Sequence, residues 1–252
     1  MLVEPREPAN VGASARALKN MGFRNLSLVN TAGINDETRW LAHNALDILN
    51  AAGMYRSLSD AIAGQAFVVA LARRTGKKRG MVLTLRQGAK RVYDLACGNK
   101  VALLFGREDR GLYNEEVNEC GLLLTIPADR EHPSLNLSHA VMVVAYELSM
   151  VQCTEQPAQE PLKLKRRQGD HVARGEFSAL YERMSNIITL LDYMPRGDRN
   201  LKKHIIDNLK QFIGRAGLTT REMKMLHGFC SQIEIKLGTK EKVMFTKNKD
   251  GN

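Results

Sequence analysis

The sequence has no apolar run long enough to cross a bilayer, which takes roughly 20 consecutive apolar residues, so no membrane span is expected. Its opening residues, Met1, Leu2, Val3, Glu4 and Pro5, are too few and too charged for a secretory leader. Four cysteines, Cys97, Cys120, Cys153 and Cys230, lie scattered with no CxxC pair. That speaks against a zinc site and against a disulfide framework, and makes a reducing cytoplasm the expected compartment. The six histidines, His132 and His139 among them, show no HExxH spacing, so no metal is expected. There is no GxGxxG and no GxxxxGKS or GxxxxGKT, which removes a dinucleotide fold and a P-loop. The acidic, glycine-rich strand end of the usual Rossmann-type methyltransferase is missing, and no internal repeat is found.

At 252 residues there is material for one large domain, or one medium domain with a small appendage. Formal net charge is +10, and it is unevenly spread. Residues 1–152 carry 18 Lys and Arg against 15 Asp and Glu; residues 153–252 carry 19 against 12. A basic excess of this kind favours polyanions such as RNA, whose phosphates release counterions on binding. It is equally what a solvated, soluble surface shows.

The first 150 residues alternate apolar strands with helix-period segments. Strands are expected at Met1–Glu4, Leu26–Val29, Phe67–Leu71, Lys100–Phe105 and Leu122–Pro127. Helices are expected at Gly12–Met21, Arg39–Ala52, Leu58–Ile62 and Met81–Leu95. Continuous apolar strands between helices indicate an α/β domain whose parallel sheet is covered on both faces. From Thr154 the composition turns to Glu, Gln, Pro, Lys and Arg, which reads as an exposed linker over residues 154–172. Helices follow at Arg174–Leu191, Leu201–Ala216 and Thr219–Lys236, making a small all-helical extension over 173–240. Residues 241–252, rich in Lys and Asn, read as a flexible tail.

Three segments carry chemistry. In the first, a Pro-rich turn from Glu4 to Pro8 leads to Asn10, a natural N-cap, then to Gly12, which lets another backbone approach, and to Arg16 on the first turns of the helix. In the second, the strand ending Leu104-Phe105 runs into Gly106-Arg107-Glu108-Asp109-Arg110-Gly111-Leu112, a glycine-bracketed charged loop. Ligands of open α/β sheets bind beyond the carboxyl ends of strands. Glu108 is placed there to anchor the loop or to order a partner's cation. In the third, Ile126-Pro127 leads to Ser134-Leu135-Asn136-Leu137-Ser138 and an Ala- and Val-rich buried helix from His139 to Leu148. Taken alone, that third segment is also what an ordinary capped core helix looks like.

In this order and spacing the three segments resemble the SPOUT superfamily of knotted methyltransferases, in its SpoU branch of RNA ribose 2′-O-methyltransferases. The matching patterns are N-x-G-A-x-x-R-A at Asn10–Ala17, F-G-x-E-x-x-G-L at Phe105–Leu112, and I-P followed by S-L-N-L-S-x-A-V at Ser134–Val141. Within that branch the chain looks most like TrmJ-type tRNA methyltransferases. Asn20–Phe23 supports this, as do Leu190–Met194 and Glu222–Gly228, which match that group's helical extension.

The resemblance implies a methyltransferase domain over residues 1–153 with a deep C-terminal trefoil knot at about 100–150. It implies S-adenosyl-L-methionine as cofactor, held by Leu71, Ala72, Arg73, Gly106, Glu108, Gly111, Ile126, Ser134 and Leu135. It implies catalysis by Arg16, with Asn10, Ser134 and Asn136 orienting the loop and the hydroxyl. It implies a homodimer in which Arg16 of one subunit meets the other subunit's cofactor pocket. The substrate implied is tRNA, at nucleotide 32 of the anticodon loop; ribosomal RNA, or a non-catalytic RNA-binding protein that keeps the knot, are the other readings. Guanidinium is essentially always protonated, so Arg16 either activates the 2′-hydroxyl or stabilises the developing alkoxide while water or phosphate takes the proton. One departure stands out. Where this branch commonly shows Gly-Thr-x-Ala-Arg, the chain has Ala70-Leu71-Ala72-Arg73-Arg74, so a hydroxyl donor is missing.

Overall fold

The computed structural model describes residues 1–72, 82–129, 131, 133–155, 171–191, 193 and 201–237. The chain opens with strand β1 (Leu2–Val3), helix α1 (Pro8–Asn20) and strand β2 (Ser27–Val29). Then come α2 (Asp36–Ala42), a 3-10 turn at His43–Ala45, α3 (Leu46–Asn50), β3 (Gly53–Tyr55), α4 (Leu58–Ile62) and β4 (Phe67–Leu71). These are followed by β5 (Val82–Thr84), α5 (Leu85–Ala96), β6 (Val101–Leu104), α6 (Asn114–Asn118), β7 (Leu122–Thr125) and the long α7 (Leu137–Glu155). The C-terminal helices are α8 (Phe177–Leu190), α9 (Leu201–Ala216) and α10 (Thr220–Lys236).

Among the described residues, all seven strands run parallel. One sheet has the order β1-β2-β3, the other β5-β7-β4-β6. They join where Leu2 bridges Phe105, just past β6; Val3 N–H donates to Phe105 at 2.8 Å and Phe105 N–H to Met1 at 3.0 Å. The combined order is therefore β3-β2-β1-β6-β4-β7-β5. The last described strand along the chain, β7, sits between β4 and β5, with Val69 beside Leu122 and Val82 beside Leu123.

Side chains alternate across this sheet with the period of two that strands impose. Val69, Leu122 and Leu124 face a core shared with α1, α3, α5 and α7. Val68, Ala70, Leu104 and Leu123 face the other, shared with α4 and α6. Burying both faces is why the strands read as unbroken apolar runs, each full Leu or Val burial contributing about 1.5–3 kcal/mol.

Several boundaries differ from the sequence expectation, each for a local reason. The helix expected over Arg39–Ala52 is broken: His43 takes φ +51 and a 3-10 turn separates α2 from α3. The helix expected from Met81 starts at Leu85, because Val82–Thr84 pairs with β7 as a strand and Thr84 caps α5 through a reciprocal bond with Gln87. Strand β3, only three residues long (Gly53-Met54-Tyr55), is too short to carry an apolar alternation. The α7 helix is longer than its apolar run suggests and is not buried all round; Val143, Tyr146 and Met150 are exposed on one side.

The C-terminal helices have their own small core, built on Phe177, Leu180, Ile187, Ile213 and Met223. They dock on the sheet at the amino ends of its strands. Arg174 N–H donates to the Gln65 carbonyl and Gly175 N–H to Ala63, both at 2.9 Å, and the His171 ring packs 5.2 Å from Phe67. Most of the expected linker and the whole tail over 241–252 lie outside the described residues. Among the described residues no helix is long and apolar enough to cross a membrane, and no three His, Cys, Asp or Glu side chains gather as a metal site.

Candidate functional site

At the carboxyl ends of β4, β6 and β7 the structure opens a cleft of about 490 Å3. That falls in the roughly 300–1,000 Å3 range of small-molecule sites and at the edge where open α/β sheets bind ligands. Leu71, Leu124, Ile126, Leu137 and Ala140 make its apolar floor. The loop from Gly106 to Asn114 forms one wall, and Pro133, Ser134 and Leu135 form another. Eight of the nine expected cofactor-contact residues line it: Leu71, Ala72, Gly106, Glu108, Gly111, Ile126, Ser134 and Leu135. Arg73, the ninth, lies outside the described residues.

Gly106 is glycine because the loop doubles back on it. A Cβ there would sit 2.2 Å from the Gly111 carbonyl carbon and 2.3 Å from the Leu112 nitrogen, both backbone and unable to yield cheaply. Gly111 itself adopts φ +70, closing the turn with Arg107. Gly12 plays the corresponding part outside the cleft, where a Cβ would meet the Thr38 carbonyl at 2.3 Å; the expected close backbone approach is α2 crossing α1.

The three sequence segments meet through one hydrogen-bond chain. The Glu108 carboxylate accepts from Asn10 Nδ2 at 2.9 Å and from the backbone N–H groups of Arg6 (3.1 Å) and Glu7 (3.3 Å). Asn10 Oδ1 then accepts from Asn136 Nδ2 at 2.8 Å. Asn136 Oδ1 caps α7, accepting from Ser138 N–H (2.9 Å), Ser138 Oγ (2.7 Å) and His139 N–H (3.3 Å). The amide orientations are forced in sequence: a carboxylate can only accept, so Asn10 donates to it through Nδ2, which turns the Asn10 oxygen to accept from Asn136 Nδ2. Asn136 is thus the helix cap its position suggested. Asn10 is not a cap. The helix begins at Pro8, whose fixed φ and missing N–H suit the first turn, so Asn10 falls inside α1, buried, with its side chain free to bridge.

Burial raises the Glu108 pKa, but the bonds from Asn10 and from the backbone of Arg6 and Glu7 outweigh it and hold the carboxyl below the ordinary carboxylate value. A depressed pKa means stability present above the unfolded value and lost as pH falls through the folded one. Glu108→Gln is therefore expected to lower stability by about 1–3 kcal/mol at neutral pH. In thermal unfolding across pH, the gap to wild type should narrow below about pH 4.

Residues 1–146 match the model of the SpoU rRNA Methylase family, well over half the chain. The chain belongs to the SpoU methylase family. Among its relatives, a tRNA (cytidine-2′-O-)-methyltransferase TrmJ of Methanocaldococcus jannaschii is 31% identical over 88% of this chain and 93% of its own length. A protein of Escherichia coli named uncharacterized tRNA/rRNA methyltransferase LasT is 33% identical over 93% of this chain and 96% of its own. Of solved structures, TrmJ from Z. mobilis ZM4 superposes with a TM-score of 0.76 at 26% identity, covering 92% of this chain and 97% of that one. The parallel-sheet α/β architecture is that of a SPOUT methyltransferase of TrmJ-like type.

In this SpoU methylase Arg16 lies nine residues into α1, beyond the first turns where the sequence reading put it. It is exposed, makes no hydrogen bond or ion pair among the described residues, and does not line the cleft of its own chain. Ser134 is exposed on the cleft wall. The residue that sequence reasoning missed is Arg107. Its guanidinium is buried and bonds Glu4 Oε2 at 2.7 Å, both Glu116 oxygens at 2.9 and 3.0 Å, and the Gly111 carbonyl at 3.3 Å. Tyr113 lies over it at 3.9 Å. Arg107 fixes the shape of the cleft loop, and its one visible signal is a charged residue directly after an apolar strand and a glycine.

Proposed function

We propose that this methylase transfers the methyl group of S-adenosyl-L-methionine to a ribose 2′-hydroxyl of tRNA in the cytoplasm, with nucleotide 32 of the anticodon loop (cytidine or uridine) as the target. The observation that carries the reading is the Glu108–Asn10–Asn136 chain, which ties the first motif segment to the two segments that line the cleft at the strand carboxyl ends. The residues fit the cofactor. The floor is apolar, suiting an adenine ring. The buried cation on the wall, Arg107, is paired with Glu4 and Glu116, so it does not face a sulfonium as an unpaired charge. When bound, the cofactor supplies a methyl group already activated by its positive sulfur.

The protein's part is to bind, orient and stabilise charge. Glu108, Asn10 and Asn136 hold the walls in register, Ser134 orients the loop and the hydroxyl, and Arg16 meets the 2′-oxygen as it loses its proton to water or phosphate. Because Arg16 stands apart from its own cleft, the reading includes a homodimer in which it serves the partner's cofactor site. The exposed side of α7, with Val143, Tyr146 and Met150, supports that pairing. The domain plan is a methyltransferase domain over 1–153, knotted at about 100–150, a linker over 154–172, and a helical extension over 173–240. In favour of the knot, β7 is inserted between β4 and β5, and the loops that follow β6 and β7 both line one cleft. The basic excess beyond residue 153 suits the extension to grip tRNA. Ribosomal RNA is the second substrate class, favoured by the family model's own description.

Two measurements test the reading. Calorimetric titration with S-adenosyl-L-methionine is expected to show micromolar binding, and none at that level would defeat it. Mapping of 2′-O-methylation in cells lacking the gene is expected to show loss at one anticodon-loop ribose; loss confined to ribosomal RNA would move the substrate to the second class.

A further inference from the structure

Tyr113 occupies the N-cap position of α6, where Ser, Thr, Asp or Asn ordinarily satisfies the first N–H groups. Its side chain makes no such bond; instead Glu116 reaches back to the Tyr113 backbone N–H at 2.7 Å. Capping does not explain a tyrosine. Nor does burial, because the residue is 41% exposed. What its ring does is lie on the Arg107 guanidinium, 3.9 Å from carbon to ring centre, on the wall of the cleft. Arg107 is itself locked by Glu4 and Glu116. One face of the ring is thereby clamped by a rigid, buried cation, and the ring loses little freedom when something settles on the rest of it. On another wall of the same cleft Leu135 is 39% exposed, a second large apolar group beside the opening. At the rim Arg6 and Arg110 both lean on Asp109, at 2.9 and 3.4 Å, and remain exposed.

A flat, pre-oriented aromatic surface next to exposed guanidinium groups matches a nucleotide, with its base on the ring and its phosphates on the cations. We propose that Tyr113, backed by Arg107, is the stacking platform for the base of the nucleotide that receives the methyl group. The inference rests on the RNA methyltransferase reading and adds to it a residue that binds the acceptor nucleotide. Stacking accepts any base, so the platform holds the acceptor nucleotide in place without selecting its letter; selection must come from elsewhere in the cleft or from the RNA's shape.

The test compares full-length wild type with Tyr113→Phe, Tyr113→Leu and Tyr113→Ala. It measures kcat and KM for a tRNA transcript, the Kd for S-adenosyl-L-methionine by calorimetry, and Tm. Base–aromatic stacking lost to alanine corresponds to roughly a five- to hundredfold change. Tyr113→Phe is expected to match wild type. Tyr113→Ala and Tyr113→Leu are expected to raise KM for tRNA by that factor while the cofactor Kd stays within about twofold. The leucine still covers Arg107, so it separates stacking from packing even where the alanine variant lowers Tm. A KM for tRNA unchanged in the leucine and alanine variants overturns the platform, as does a cofactor Kd that rises in step with it. A wild type that methylates no RNA overturns the function on which the platform rests, and is told apart by the wild-type assay alone.

Discussion

Replacing Arg16 by alanine is expected to cut methyl transfer by a factor of about 100 to 1,000 while leaving the fold intact. Arg16 is exposed and pairs with nothing among the described residues, so its removal should change stability by no more than about 0.5 kcal/mol. The lost interaction is one made only as negative charge grows on the 2′-oxygen, so kcat should fall and the cofactor Kd should not. Arg16→Lys keeps the charge but loses the planar fork, and should recover only part of the rate. If Arg16 acts across a dimer, an equal mixture of Arg16→Ala protomers with protomers unable to bind cofactor regains about a quarter of wild-type activity, from one working site in each mixed dimer. Scintillation counting of labelled methyl on tRNA, with a melting curve for each variant, checks both parts. Wild-type turnover by Arg16→Ala would remove it from the chemistry.

The largest expected effect on stability comes from Arg107→Ala. Arg107 is 4% exposed and joins the first strand, the cleft loop and α6 through Glu4, Gly111 and Glu116. Cutting away one partner of a buried ion pair leaves the other charge unpaired, which costs about 3–5 kcal/mol. Here the stranded group is the Glu116 carboxylate, 14% exposed. For a chain of this size the loss corresponds to a drop in Tm on the order of 10 °C. Cofactor binding should weaken with it, since the loop wall loses its support. Adding Glu116→Ala to Arg107→Ala should return part of the lost stability, because no buried carboxylate is then left unpaired. Equal melting temperatures for wild type and Arg107→Ala would show that the pair holds nothing together.

Part of this molecule was legible from residue order. Continuous apolar strands at Phe67–Leu71, Lys100–Phe105 and Leu122–Pro127 had to be buried on both faces, and they lie in the sheet as such. Leu201–Ala216 shows its helical period openly and is a helix over those same residues. The three motif segments also pointed to one site, since each sets a small or polar loop against the end of a strand or the start of a helix.

Other features had no local signal. Val82–Thr84 is a strand only because β7 offers it a partner, and that partner lies about 40 residues on in the chain. Asn10 looks like a cap by residue type; Pro8 starting the helix earlier turned it into a bridge. Arg107 carries no mark of burial in its neighbours, and only the arrival of Glu4 from one end and Glu116 from the other makes it a clamp.

The sequence by itself determined the parallel α/β class and the two loop segments that line the cleft, because hydrophobic period and turn chemistry are local. Only the tertiary structure decided which of those residues bond to one another, that Arg16 stands free of its own cleft, and that Tyr113 rests on Arg107. The bonds of Asn10, Asn136 and Arg107 to their distant partners join groups about 100 residues apart, and no local pattern encodes such a meeting.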